Sequence, residues 1–204
     1  MHILITGGAG FIGSHVSRRL LGRGETLTIL DDFNDYYDPG LKRANVAALA
    51  DRPGYRVVEG DIRDHQLVDS LFEQGRFDAV IHLAARAGVR PSLAQPILYE
   101  DVNCIGTLRL LEAARAHGPT NFVFASSSSV YGINEKVPFS EDDPVDLPIS
   151  PYATTKRAGE LLCFNYHHLY GLRTSCLRFF TVYGPGQRPE MAIAKFTDLL
   201  ARGK

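Results

Sequence analysis

The chain has 204 residues, 45% of them hydrophobic and 22% charged, with 19 glycines and 11 prolines. That is the make-up of one globular domain with a sizeable core, and it excludes disordered, collagen-like and disulfide-scaffold classes. Lys plus Arg number 22 against 23 for Asp plus Glu, a net charge of -1, so no broad basic field exists to grip a nucleic-acid backbone or an anionic membrane, and an anionic ligand has to be held locally.

The first segment, His2 to Thr6, is a short β-rich run that enters Gly7-Gly8-Ala9-Gly10-Phe11-Ile12-Gly13. Glycines at positions 7, 10 and 13 allow a tight turn, close backbone approach to a pyrophosphate, and close helix-to-strand packing, while the helix that follows presents N–H groups and a positive dipole end. Ile12, Val16 and Leu20 recur every fourth residue on that helix. The second strand, Thr26 to Leu30, leads to Asp31, which lies 18 positions after Gly13. A carboxylate there accepts hydrogen bonds from both hydroxyls of an adenosine ribose. Asp32 adds a second carboxylate, and no adjacent Arg is present to meet a 2′-phosphate, so NAD is expected rather than NADP.

Strands are expected next at Tyr55 to Glu59, Ala79 to His82, Asn121 to Ala125 and Thr174 to Arg178, with helices between them. Alternation of this kind describes a parallel, doubly wound α/β sheet of Rossmann type, which binds ligands outside the C-terminal ends of its strands. Asp61-Ile62 and Leu83-Ala84-Ala85 fall at such ends. Val102, Ile105, Leu108 and Leu111 recur every third residue along a helix from about Pro96 to His117. The run Ser126 to Ser129 follows the fifth strand, and the proline- and acid-rich stretch Asn134 to Pro148 reads as a surface loop. Ser150-Pro151 is an N-cap followed by N1, opening a helix to about Tyr170. On it, Tyr152 and Lys156 share one face at i,i+4 spacing. A tyrosine of ordinary pKa, about 10, serves as a base near neutrality only when a neighbouring cation stabilises the phenolate, which Lys156 is placed to do. A last helix is expected from about Pro189 to Lys204.

Together GGAGFIGSHV, SSSSVYG and PYATTKRAGE resemble the extended short-chain dehydrogenase/reductase superfamily and its nucleotide-sugar epimerases. HLAARAGVRPS and LRFFTVYGPGQRPEMAIAKF are similar to the UDP-glucuronate 4-epimerase branch in particular. The resemblance implies an NAD-dependent enzyme inverting C4 of a UDP-sugar, with Tyr152 as base, Lys156 as its activator and Ser127 relaying the proton. It places Gly7, Gly10, Phe11, Ile12, Gly13, Asp31, Asp32, Asn34, Asp61, Ile62, Leu83, Ala84, Ala85, Asn103, Tyr152, Lys156 and Phe179 around NAD. Arg90, Ser127, Ser128, Ser129, Thr181 and Arg188 it places around the sugar nucleotide. Residues 1–180 would form the NAD-binding domain and 181–204 the start of a substrate-binding region whose larger part lies outside this sequence. UDP-glucose epimerases, sugar-nucleotide dehydratases and decarboxylases are the neighbouring activities, and a non-catalytic NAD-binding fragment or sensor is the alternative of another class. Dehydratases carry Asp-Glu where this chain has Ser128-Ser129, and the resemblance also implies a homodimer through the helices at 96–117 and 150–170.

Other features read as structural. His15, His65, His82, His117 and His167-His168 show no metal-ligand spacing, so no metal is expected. Phe122, Phe124, Phe164 and Phe179 are expected in the core. Cys104, Cys163 and Cys176, odd in number and widely spaced, are expected as reduced core residues. Arg18-Arg19, Lys42-Arg43 and Lys156-Arg157 are isolated basic pairs that make no nucleic-acid site. With no leader pattern and no run of roughly 18 apolar residues, a cytoplasmic chain without a membrane partner is expected.

Overall fold

In the computed structural model, which describes residues 1–118 and 121–203, the strands are β1 (His2–Thr6), β2 (Thr26–Asp31), β3 (Tyr55–Glu59), β4 (Ala79–His82), β5 (Asn121–Ser127) and β6 (Arg173–Phe179). They form one six-stranded sheet in the order β3-β2-β1-β4-β5-β6, parallel throughout. Ile3 pairs with both Leu27 and Ala79, and Ala79 with Asn121, so the C-terminal ends of the strands share one edge. The order reverses between β1 and β4, and there the connections diverge to opposite faces and leave a crevice.

Residue alternation along the strands divides the core. Ile3, Ile5, Leu27 and Ile29 pack with Leu21 and Leu49 on one face, which carries α1 (Phe11–Leu21) and α2 (Pro39–Ala47). Leu4, Leu30, Val80, Phe122 and Phe124 face the other way. They pack against α3 (His65–Gly75), then α4 (Val89–Ala94) and α5 (Pro96–Glu100), α6 (Gly106–His117) and α7 (Pro151–Tyr170) complete the chain's helices before α8 (Ala192–Ala201). Of these, α3, α6 and α7 supply Phe72, Leu110, Leu111 and Tyr166 to that cluster.

One helical expectation is refined and two are corrected. The deepest stripe of α1 is Gly13, Ser14, Ser17 and Leu21, with Ile12, Val16 and Leu20 flanking it, because small residues bring the helix close to the sheet. A π-helical turn at Asp101–Ile105 joins α5 to α6 and breaks the every-third-residue stripe, leaving Ile105 46% exposed. The last helix begins at Ala192, after a turn in which Met191 N–H donates to Arg188 C=O, and Lys204 lies outside the described residues.

Two core assignments also change. Phe122 and Phe124 are buried, but Phe179 at the end of β6 is only partly buried, and Phe164 is 60% exposed on the outer side of α7, stacked on His168. All three cysteines are free, yet only Cys163 is buried; Cys176 is exposed because β6 is an edge strand. Among the described residues no helix is long and apolar enough to cross a membrane, and no group of three or more His, Cys, Asp or Glu is arranged to hold a metal.

Candidate active site

A cleft of about 560 Å³ runs along the C-terminal edge of the sheet, over the β1/β4 crevice. Its floor is the glycine loop. Gly7 has φ +70, and a Cβ there would stand 2.6 Å from Ala84 N; a Cβ on Gly13 would stand 2.4 Å from Gly7 O. Neither position has room for a side chain, whereas a Cβ on Gly10 would meet only Gly7 O at 3.3 Å and the Tyr37 hydroxyl at 3.9 Å. Gly10 therefore opens a cradle toward the cleft. It is also the N-cap of α1, with no side-chain cap, so the N–H groups of the first turn remain for a ligand where Phe11, Ile12 and Gly13 line the cleft.

Asp31 closes β2 and is buried. Its carboxylate accepts from Ala9 N at 3.1 Å and Phe33 N at 3.0 Å, and Lys42 Nζ lies 3.7 Å away. Burial raises its pKa, with the Lys42 charge and the two backbone donors opposing. The same carboxylate thus shapes the glycine loop through Ala9 while lining the cleft beside Asp32 and Asn34. Lys42 is a residue the sequence reading missed. It is no surface cation: only 5% exposed, it donates to Asn34 O at 3.2 Å and stands over the Tyr37 ring. The signal available was Asp38-Pro39-Gly40, where Asp38 caps α2 and thereby fixes Lys42 in its first turn, pointing back toward β2.

Asp61, Ile62, Leu83, Ala84 and Ala85 line the cleft as expected. Asn103 does not. Its Oδ1 accepts from Arg86 N at 2.8 Å, and its Nδ2 donates to Arg86 O at 3.0 Å and Thr155 Oγ1 at 2.9 Å. It pins the loop after β4 to α7 from behind the cleft wall. Arg90 is likewise displaced: it lies exposed on α4, outside the cleft lining, because Gly88 at φ +101 turns the chain before that helix. Arg86 is the arginine of that stretch that reaches the cleft, over the Tyr36 ring.

At the other end, β5 delivers Ser127, Ser128 and Ser129, α7 delivers Tyr152 and Lys156, and the chain after β6 delivers Phe179, Thr181 and Arg188. Ser127 caps the turn Ser128–Tyr131 through Ser129 N, its hydroxyl donates to Ser129 Oγ at 3.2 Å, and it lines the cleft together with Tyr152. Burial raises the Tyr152 pKa, and Ser127 and the Arg188 charge act to lower it. Lys156 is on the same helix face but does not touch the phenol: its Nζ donates to Ala125 O at 2.7 Å and lies 6.0 Å from the Tyr152 ring centre. Burial depresses its pKa to about 8. His82 is structural, its ring bonded to Thr6 and Thr107 and its pKa pushed down to about 3 by burial.

The arrangement has the components for binding a dinucleotide and exchanging a proton with a substrate hydroxyl. The cradle at Gly10, the free first-turn donors and Asp31 fit an adenosine diphosphate moiety, and Tyr152 and Ser127 bring two hydroxyls to the far end of the same cleft.

The comparisons agree with this geometry. UDP-glucuronate 4-epimerase 3 of Arabidopsis thaliana is 53% identical over 203 residues, 99% of this chain and 47% of that protein, so the chain spans about half the length of this relative. The structure of UDP-glucuronic acid 4-epimerase from Bacillus cereus, in complex with UDP-glucuronic acid and NAD, superposes with TM-score 0.90 at 38% identity, covering 100% of this chain and 64% of that one. DesIV, a dTDP-glucose 4,6-dehydratase from Streptomyces venezuelae, gives TM-score 0.90 at 36% identity, with coverage of 100% and 63%. The family profile described as GDP-mannose 4,6 dehydratase matches residues 4–204, and by sequence and fold alike this chain belongs to that short-chain dehydrogenase/reductase family.

Proposed function

We propose that this protein is an NAD-dependent 4-epimerase acting on UDP-glucuronate, giving UDP-galacturonate. The observation that carries the reaction type is the distribution of carboxylates in the cleft. Among its described lining residues the acids are Asp31, Asp32 and Asp61, all at the ends of β2 and β3, while the surroundings of Tyr152 carry serines. Removing a C5 proton or steering loss of CO2 calls for an acid-base group beside the sugar; epimerisation calls for hydroxyls that hold it. The likeness to UDP-glucuronate 4-epimerases of a plant and a bacterium supports the substrate.

NAD, when bound, supplies the reversible oxidation at C4 that lets the configuration there be lost and reset. Gly7, Gly10 and Gly13 with the first turn of α1 would hold its pyrophosphate, and Asp31 and Lys42 its adenosine ribose. Tyr152 takes and returns the C4 hydroxyl proton. Ser127, in the same stretch of the cleft lining, would orient that hydroxyl. Thr181 and Arg188 would hold the sugar's carboxylate, for which the guanidinium fork is suited. Residues 181–204 accordingly belong to the substrate side. The unpaired cysteines support a reducing, cytoplasmic setting, and the exposed apolar residues of α5 to α7 support a homodimer.

The test is NMR of UDP-glucuronate incubated with the NAD-loaded protein. UDP-galacturonate as sole product is expected, and UDP-xylose or a 4-keto pentose as main product overturns the reading. In calorimetry NAD should bind more tightly than NADP; the reverse order removes Asp31 from its role.

A further inference from the structure

Arg188 lines the cleft while Glu190, two residues on, is half-exposed at its margin. Between them Pro189 occupies the second position of a turn closed by Met191 N–H donating to Arg188 C=O at 3.1 Å. Proline fixes φ at that position and so preforms the turn. Within it the Glu190 carboxylate stands 3.2 Å from the Arg188 guanidinium. The guanidinium is otherwise placed by the Tyr36 ring, 5.3 Å away, and by Met191 Sδ at 3.4 Å.

Arg178, on β6, is held differently. Arg178 reaches Glu160 through Nε at 2.9 Å and Nη2 at 3.1 Å, and the Glu160 side chain is 6% exposed. That pair is enclosed and doubly bonded. The Glu190 side chain is 49% exposed against 20% for Arg188, so its carboxylate can move into water at little cost while the guanidinium stays in the cleft.

Resting on the reading that Arg188 receives the carboxylate of an acidic sugar, the geometry points to Glu190 as an internal competitor that occupies Arg188 in the empty cleft and is exchanged for the sugar's carboxylate on binding. Binding then trades one carboxylate for another, and release of an acidic product is assisted by Glu190 returning. A neutral hexose has no group to make the exchange and leaves the pair in place. Glu190 is therefore a specificity-tuning residue, acting through Arg188.

The experiment is calorimetry of UDP-glucuronate and UDP-glucose with the NAD-loaded wild type, E190Q, E190A and R188A. An exposed ion pair of this kind is worth up to about 1 kcal/mol, so E190Q and E190A should bind UDP-glucuronate about two- to five-fold more tightly, with UDP-glucose unchanged. Weaker, equal or absent binding of UDP-glucuronate in both Glu190 variants overturns the exchange. R188A separates the two readings: if it binds UDP-glucuronate as well as the wild type does, Arg188 is not the carboxylate's partner. Loss of binding in R188A together with no gain in E190Q or E190A removes the competitor alone.

Discussion

Lys156 is a residue whose burial carries a cost in stability. Its ammonium is enclosed, bonded to Ala125 O and 5.1 Å from the Phe124 ring centre, and burial lowers its pKa from 10.5 to about 8. Below pH 8 both folded and unfolded chains carry the charge, and the folded state bears the cost of burying it. Between pH 8 and 10.5 the unfolded chain keeps a proton that the folded chain has lost, so stability rises with pH across that window. Lys156→Met should therefore be more stable than the wild type at pH 7, by about 1–3 kcal/mol once the lost bond to Ala125 is allowed for, with the difference narrowing toward pH 10. Urea denaturation at the two pH values measures this. A variant less stable than the wild type at pH 7 would mean that the ammonium is well accommodated. Gly13 gives a second test at this scale. With its Cβ position 2.4 Å from Gly7 O, Gly13→Ala must displace the loop, and NAD affinity measured by calorimetry should fall at least about tenfold. Retained affinity would show that the loop yields without disturbing the cradle.

At the scale of elements, α7 is locked to the sheet by Glu160, which accepts from Ser126 Oγ at 2.6 Å and from Arg178 and Arg157. Burial pushes the Glu160 pKa up, but Arg178, Ser126 and Arg157 bring it below the usual carboxylate value. Because Ser126 precedes Ser127 and Glu160 follows Lys156 by one turn, the pair sets the helix carrying Tyr152 against the strand carrying Ser127. Arg178→Ala leaves a buried carboxylate without its main partner and should cost about 3–5 kcal/mol, whereas the double variant with Glu160→Gln should recover a large part of it. Thermal denaturation of the cycle checks the coupling, and additive losses would refute it. Neither member of this pair was legible in the sequence, since they meet only when β6 lies beside β5. What was legible is what local chemistry dictates. The buried parallel strands are continuous apolar runs, the glycine spacing is set by one tight turn, and Ser150-Pro151 caps α7 through Ala153 N. Arg86 reaches the cleft along a loop path that no periodicity encodes, and Lys42 by the position of α2, which its capping signal starts but does not orient. Ile105 was misjudged because a π-helical turn adds a residue to the helix, and Phe164 because an apolar residue can serve a surface as well as a core.

That surface bears on the whole molecule. α5 and α6 pack beside α7 and leave Ile97 75% exposed, Ile105 46%, Leu161 47% and Phe164 60%. Leu161, Phe164 and His168 follow i, i+3 and i+7 spacing and so lie along one side of α7, with the Phe164 and His168 rings stacked. An isolated apolar residue on a surface needs no explanation, but an aromatic and several aliphatic side chains exposed on adjoining helical segments are costly to leave in water. A twofold axis through such a surface buries every residue twice and closes the assembly at two copies, giving a four-helix contact. Covering Phe164 contributes about 1.5–3 kcal/mol per copy, about 3–6 kcal/mol for the pair, which corresponds to roughly two to four powers of ten in the dimer dissociation constant. We therefore expect the wild type to sediment as a dimer at micromolar concentration and Phe164→Glu, which sets two carboxylates against each other across the axis, to sediment as a folded monomer with its circular dichroism spectrum retained and its thermal midpoint lowered by the lost association. Wild-type protein sedimenting only as a monomer would remove the dimer, and a Phe164→Glu protein that remains dimeric would move the interface away from α7.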